Sequence, residues 1–95
     1  MSKVGTAKKQ PNEKRRYGID YSDALDPGDL IESVTSVVEP AGELTALTTT
    51  DGDTSVRVVC TAGVDNSTYK ITLTVTTTNS NEIIEDELYV KVREI

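Results

Sequence analysis

The chain has 95 residues, with one Cys, four Tyr and neither His, Trp nor Phe, so it forms a single small domain whose core must come from Val, Ile, Leu and Tyr. Residues 1–16 carry six basic and one acidic side chain, a net charge of +5, whereas residues 17–95 carry four basic and fifteen acidic side chains, a net charge of −11. The composition lacks the His and paired Cys of common acid–base and nucleophilic sites, and it lacks the run of about 18 apolar residues that a membrane span needs. We therefore predict a protein that is not an enzyme, needs no cofactor and does not enter a membrane.

The first sixteen residues form a segment of their own. They are almost entirely charged, small or polar, so little apolar burial can offset the entropy lost on ordering. The sequence predicts a flexible basic arm over residues 1–16, followed by a folded domain over residues 17–95.

The first half of that domain predicts short extended segments separated by turns. The Asp-Pro-Gly-Asp and Glu-Pro-Ala-Gly tetrapeptides are typical turn sequences, and an Asp-Gly pair favours a tight hairpin. In chain order the expected elements are an extended segment at 17–21, a brief helical turn capped by Ser22 or Asp23, a turn at 26–29, a strand at 30–38, a turn at 39–42, a weaker strand at 43–49 and a hairpin turn at 50–53.

The second half carries the clearest alternation of apolar and polar residues, which indicates half-buried strands. The inward positions are Val56, Val58 and Cys60, then Tyr69, Ile71, Leu73 and Val75, and finally Leu88, Val90 and Val92, with a turn expected at 79–81. The pattern predicts an all-β immunoglobulin-like sandwich, with a small barrel as the second choice. Cys60 is expected in the core, and an intermolecular disulfide is the alternative.

Acidic residues offer a candidate metal site. Asp20, Asp23, Asp26 and Asp29 recur at every third residue, and Asp51 and Asp53 flank a Gly. Carboxylate oxygens of this kind bind Ca²⁺, but the spacing is not that of an EF-hand loop. Because Asp is also a common turn and cap residue, we interpret these positions as turns and predict no metal site.

The arm supplies the candidate partner-binding residues, Lys8, Lys9, Lys14, Arg15 and Arg16. A cationic segment binds acidic surfaces, so the favoured partner is an acidic neighbouring protein, including another copy of this chain. A solubilising tail and a nucleic-acid contact are the alternatives, and the latter is disfavoured because no aromatic residue for base stacking precedes Tyr17. If the last strand, from residue 87 to 95, lies at a sheet edge, its free backbone groups also offer a pairing site.

Several ordered segments resemble a known family. They are Ile19-Asp20-Tyr21-Ser22 followed by Leu25, then Gly28-Asp29-Leu30-Ile31-Glu32-Ser33, Pro40-Ala41-Gly42-Glu43-Leu44-Thr45, Tyr69-Lys70-Ile71-Thr72, and Val90-Lys91-Val92-Arg93-Glu94. In order and spacing they resemble the fiber-tail adaptor proteins of tailed bacteriophages, which are small immunoglobulin-like virion proteins. The resemblance covers residues 17–95.

This resemblance implies a structural protein of the virion, assembled in the cytoplasm of a host bacterium and present in several copies per particle. Its expected partners are other virion proteins (capsid, tail or fiber subunits), and its expected role is to join tail and fibers. Two alternatives stay open: a capsid decoration protein, and a bacterial immunoglobulin-like adhesion or binding module.

Overall fold

The alternating segments of the sequence become strands, and no helix is present among the residues that the structure describes. The structure is a computed structural model that describes residues 2–50, 52, 54–79 and 82–94, with side chains from residue 5 onward. Its strands are β1 (Ser2–Lys9), β2 (Arg15–Asp20), β3 (Ile31–Glu39), β4 (Leu44–Thr50), β5 (Ser55–Ala62), β6 (Ser67–Thr77) and β7 (Ile83–Val92). The all-β prediction is thus confirmed, and no helix long and apolar enough to span a membrane occurs in the described ranges.

The strands form two sheets, one in the order β1-β7-β6-β3 and the other in the order β2-β5-β4. All neighbours are antiparallel except β1 and β7, which run parallel. The strand order is that of an immunoglobulin-type sandwich in which the first strand has joined the sheet of the last strand.

The core lies between the two sheets and consists of the alternate residues that the sequence pattern marks. Every inward position named above is buried, from Val56 in β5 to Val92 in β7, and Cys60 lies among them as a free thiol. Neighbouring inward residues pack in register, for example Ile71 of β6 opposite Leu88 of β7. Tyr21, Ile31 and Leu44 complete the buried apolar cluster.

The structure differs from the expected flexible arm at the N-terminus. Residues 2–9 form β1, which pairs with β7 from Ser2 opposite Asp86 to Lys9 opposite Val92, and Arg15 and Arg16 begin β2. The apolar content of this segment gave no reason to expect order. Backbone hydrogen bonds provide the reason, because an unpaired strand edge leaves donors and acceptors that a neighbouring segment can satisfy. The last strand consequently lies between β1 and β6 and is not an edge.

The aspartates between β2 and β3 act as turn residues. The Asp20 carboxylate accepts a hydrogen bond from the Ser22 amide at 2.9 Å, which lowers the pKa of Asp20, so Asp20 caps the turn that we expected Ser22 or Asp23 to cap. Asp29 is buried and accepts from the amides of Leu30 and Asn79 at 2.9 and 2.7 Å. In the described part of the chain, His, Cys, Asp and Glu side chains form no group of three suited to a metal ion; Asp51 and Asp53 lie outside it.

Candidate partner-binding surface

Four of the five basic residues singled out from the sequence lie exposed on one side of the molecule. They are Lys8 at the end of β1, Lys14 in the connection, and Arg15 and Arg16 at the start of β2. Three further cations from distant parts of the sequence join them. We call the set of seven the basic surface: Lys8, Lys14, Arg15, Arg16, Arg57, Lys91 and Arg93.

Strand direction brings these residues together. Because β1 and β7 are parallel, both end at the same end of their sheet, and Lys8 lies opposite Lys91. The Arg93 amide continues this pairing by donating to the Lys9 carbonyl at 2.9 Å. In the other sheet, the antiparallel pairing of β2 with β5 sets Gly18 opposite Arg57 on the central strand, next to the edge strand that carries Arg15 and Arg16. The basic surface therefore spans an edge strand and its neighbour in each sheet, β1 with β7 and β2 with β5.

Two adjoining concavities shape this surface. A groove of about 490 Å³ lies between the ends of β1 and β7 and the start of β2. A hollow of about 430 Å³ lies beside it on the face of β2 and β5. Arg15 lines both. The groove is lined by Lys8, Lys9, Gln10, Glu13, Arg15, Lys91 and Arg93, and the hollow by Lys14, Arg15, Arg16, Arg57 and Val59.

Lys9 has a different position from its neighbours. It is only 3 % exposed, and its Nζ donates hydrogen bonds to the carbonyls of Gln10, Pro11 and Ala62. Burial lowers the pKa of this ammonium group. Since Ala62 ends β5 in the opposite sheet, Lys9 ties the two sheets together at this end of the sandwich. Its ammonium is committed to contacts inside the molecule, in contrast to the partner contact expected from the sequence.

Glu13 is the acidic residue among the described side chains that line the groove. One of its carboxylate oxygens accepts a hydrogen bond from the Gln10 amide at 2.7 Å, and the other lies 3.5 Å from a guanidinium nitrogen of Arg15. The side chain therefore holds the β1–β2 connection in a tight bend and orients Arg15. The groove keeps an excess of positive charge, because five of the seven residues that line it are cations.

The chemistry of this surface suits recognition of carboxylates. Guanidinium groups offer forked pairs of donors and lysines offer point charges, and both match the oxygens of Asp and Glu.

The thiol of Cys60 lies beneath the surface, fully buried, and burial raises its pKa to about 11. It is thus held in the protonated, weakly nucleophilic form at neutral pH.

Sequence reasoning found the contiguous cations and missed Arg57, Lys91 and Arg93. The missed residues lie more than 40 positions further along the chain. A signal for two of them did exist, since Arg57 and Lys91 occupy outward positions of strands whose inward positions were predicted correctly. Placing those strands beside the N-terminal segment, however, requires knowledge of the sheet order.

Comparison with known families agrees with the resemblance noted in the sequence. A family model described as podophage GP4 fiber-tail adaptor protein gp77 matches residues 9–91. The match begins within β1 and includes the β1–β2 connection, so it extends further toward the N-terminus than the resemblance did. No individually curated protein gives a significant match.

Proposed function

Since the chain belongs to the podophage GP4 fiber-tail adaptor family, we propose that it joins tail and fiber subunits of the virion through direct protein–protein contacts. The single observation that carries this proposal is the family match over nearly the whole folded chain. The adaptor is a structural component of the virion, needs no catalytic chemistry, and works in several copies around the tail.

We further propose that the basic surface is one of its contact surfaces and that it binds an acidic face of a neighbouring virion protein. Support comes from the charge distribution. The chain has a net charge of −6, yet seven of its ten cations lie on or next to the neighbouring strands β1 and β7 of one sheet and β2 and β5 of the other, where Glu13 is the acidic residue that lines the adjoining groove. Like charges held together in this way cost stability, so a partner that neutralises them is favoured.

An electrostatic contact of this kind has a recognisable signature. Exposed charges attract an acidic partner over roughly 10 Å at 0.1 M salt and much less at higher ionic strength. The contact should therefore form quickly and weaken as salt rises, in the manner of other rim-exposed charge pairs.

The test uses two variants of the full chain with equal net charge. Arg15→Gln with Arg16→Gln removes two charges from the basic surface. Thr35→Glu with Thr45→Glu lowers the net charge by the same amount at exposed positions of β3 and β4, on the opposite edges of the sheets. Each variant is supplied to phage that lack the native gene, and its copies per purified particle are measured by quantitative mass spectrometry.

We expect the Arg15/Arg16 variant to be incorporated at least tenfold less than the Thr35/Thr45 variant. Equal incorporation of the two would refute a role for the basic surface. The native copy number tests the adaptor role separately. A joint at the tail needs few copies, fixed by the symmetry of the tail, whereas a copy number comparable with that of the capsid subunits would indicate a decoration protein.

A further inference from the structure

We propose that β1 is an exchangeable strand, and that the side of β7 that β1 covers is a docking site for β1 of a second copy of this chain. This inference goes beyond the adaptor role and does not depend on the basic surface binding an acidic partner. It rests on how β1 is held in the fold.

The pairing of β1 is weaker than that of the central strands of its sheet. β1 lies at the edge of its sheet and has β7 as its one ladder partner among the described strands. The pairing is parallel, with a register shift between Lys3 and Gly5. Parallel ladders are slightly less stable per residue than antiparallel ones, and a bulge removes part of the ladder. By contrast, β6 pairs along its length with β7 on one side and β3 on the other.

The described side chains of β1 contribute nothing to the hydrophobic core. Of residues 5–9, Thr6 and Lys8 are exposed and Gly5 and Ala7 are half-buried. None of them belongs to the buried apolar cluster. The buried apolar cluster therefore loses none of its members when residues 5–9 leave the sheet.

The remaining contacts of β1 can all be made by an identical strand from another molecule. The Tyr17 hydroxyl donates to the Lys8 carbonyl at 3.4 Å, and the Arg93 amide donates to the Lys9 carbonyl. Two of the three carbonyls around the Lys9 ammonium, those of Gln10 and Pro11, travel with the strand. The third, Ala62, is present in every copy. Exchange between copies thus replaces each contact with the same contact in trans.

The connection favours such an exchange. Residues 10–14 must reverse the chain and carry it from one sheet to the other within five residues. They do so through a tight bend in which the Glu13 amide donates to the Gln10 carbonyl at 3.1 Å, with Pro11 inside it. Short, constrained connections of this type promote domain swapping, because the bend can straighten when the strand docks elsewhere.

Cross-linking between two differently tagged copies tests the proposal. Lys8 and Lys91 lie opposite each other and are both exposed, so Lys8→Cys is placed in one full-length chain and Lys91→Cys in another, each with Cys60→Ala. The two chains are unfolded together, refolded over a wide range of concentrations, oxidised and resolved by non-reducing electrophoresis with mass spectrometry. A single chain with both new cysteines, oxidised at high dilution, establishes that this position closes a disulfide within one molecule.

We expect a disulfide between position 8 of one copy and position 91 of the other, in a fraction that rises with concentration. This 8–91 link should exceed the 8–8 link at least tenfold, whereas a simple collision of two basic surfaces forms both. A chain with Thr35→Cys in place of Lys8→Cys, equally exposed on β3, measures random collision. Deletion of Pro11 and Asn12 should increase the 8–91 link further. The proposal would be overturned if the doubly substituted chain closes its disulfide within one molecule while 8–91 links between copies are no more abundant than 35–91 links.

Discussion

Lys9 allows the sharpest test of how the basic end of the sandwich is built. Its ammonium group reaches three carbonyls, of which that of Ala62 belongs to the opposite sheet. Replacement of Lys9 by Met keeps most of the aliphatic stem and removes all three hydrogen bonds. A hydrogen bond to a charged group contributes about 1.5–3 kcal/mol. The hydrogen bond to the Ala62 carbonyl alone therefore sets a lower limit of about 1.5 kcal/mol for the loss of stability.

The upper limit of the loss of stability follows from the surroundings of the other two carbonyls, those of Gln10 and Pro11. Gln10 and Pro11 are half-buried, so water can replace part of what they lose. The variant is also relieved of the cost of burying an ammonium group, which the lowered pKa of Lys9 reflects. We therefore expect the Lys9→Met change to lower the free energy of unfolding by about 2–3 kcal/mol.

Urea denaturation followed by circular dichroism measures this loss, and an unchanged slope of free energy against urea shows that the denatured state is unaffected. Lys8→Met is the matched control. Lys8 is the adjacent residue, has the same chemistry and is exposed, so its replacement should change stability by less than about 0.5 kcal/mol. Equal effects of the two substitutions would contradict the assigned role of Lys9 as an internal tie.

Four other substitutions probe the core and two connections between strands. Leu73→Ala should cost about 2–4 kcal/mol in urea denaturation, since the side chain is fully buried; a cost below about 1 kcal/mol would mean that this face of β6 is not core. Gly63→Ala should cost about 3 kcal/mol or more, because φ is +99° and the new Cβ would lie 2.9 Å from a methyl carbon of Val92. Gly28→Ala, with φ of +82° but open space around it, should cost only about 1–2 kcal/mol. The two losses, measured side by side, separate steric overlap from backbone strain, and equal losses would contradict the close packing at Gly63. Burial raises the pKa of the Cys60 thiol to about 11 in the folded chain, so between pH 9 and 11 the unfolded chain ionises this thiol while the folded chain keeps it protonated. The free energy of unfolding of the wild type should therefore fall by up to about 1.4 kcal/mol per pH unit more than that of Cys60→Ala. Parallel pH profiles of the two proteins would show that the thiol is not shielded.

The sequence predicted those parts of the fold that depend on local patterns. Alternation of apolar and polar residues marks strand faces directly, and it identified the buried faces of β5, β6 and β7. The start of β7, at Ile83, was placed too late, at residue 87, because the acidic residues Glu85 and Asp86 interrupt the apolar alternation. Asp86 nevertheless points inward and is buried, beside the hydroxyl of Tyr21. Burial and the nearby Asp86 carboxylate together raise the pKa of Tyr21. A buried carboxylate of this kind breaks the expected pattern.

The N-terminal strand could not be predicted in the same way. Residues 2–9 contain no apolar alternation, and they become a strand because the edge of β7, about 80 positions away, is open to them. Position in a sheet decides such an element, and sheet order is not a local property of the sequence. The same reason explains the burial of Lys9, which depends on a carbonyl at Ala62.

Strand topology also turns a linear separation of charge into a spatial one. β1 and β7 end, and β2 begins, at one end of the sandwich, where Lys8, Arg15 and Lys91 meet. The opposite end holds the connection from β2 to β3, the start of β3 and the start of β7. Among the residues that the structure describes there, the exposed charged ones are acids: Asp23, Asp26, Glu32, Glu82 and Glu85. The division is local, because the acids Glu39, Glu43 and Glu94 are also exposed at the end that carries the basic surface. In a molecule 43 Å long and about 20 Å wide, an acidic partner would be attracted to the basic surface itself and a basic partner to the opposite end, which favours one orientation of the chain between them.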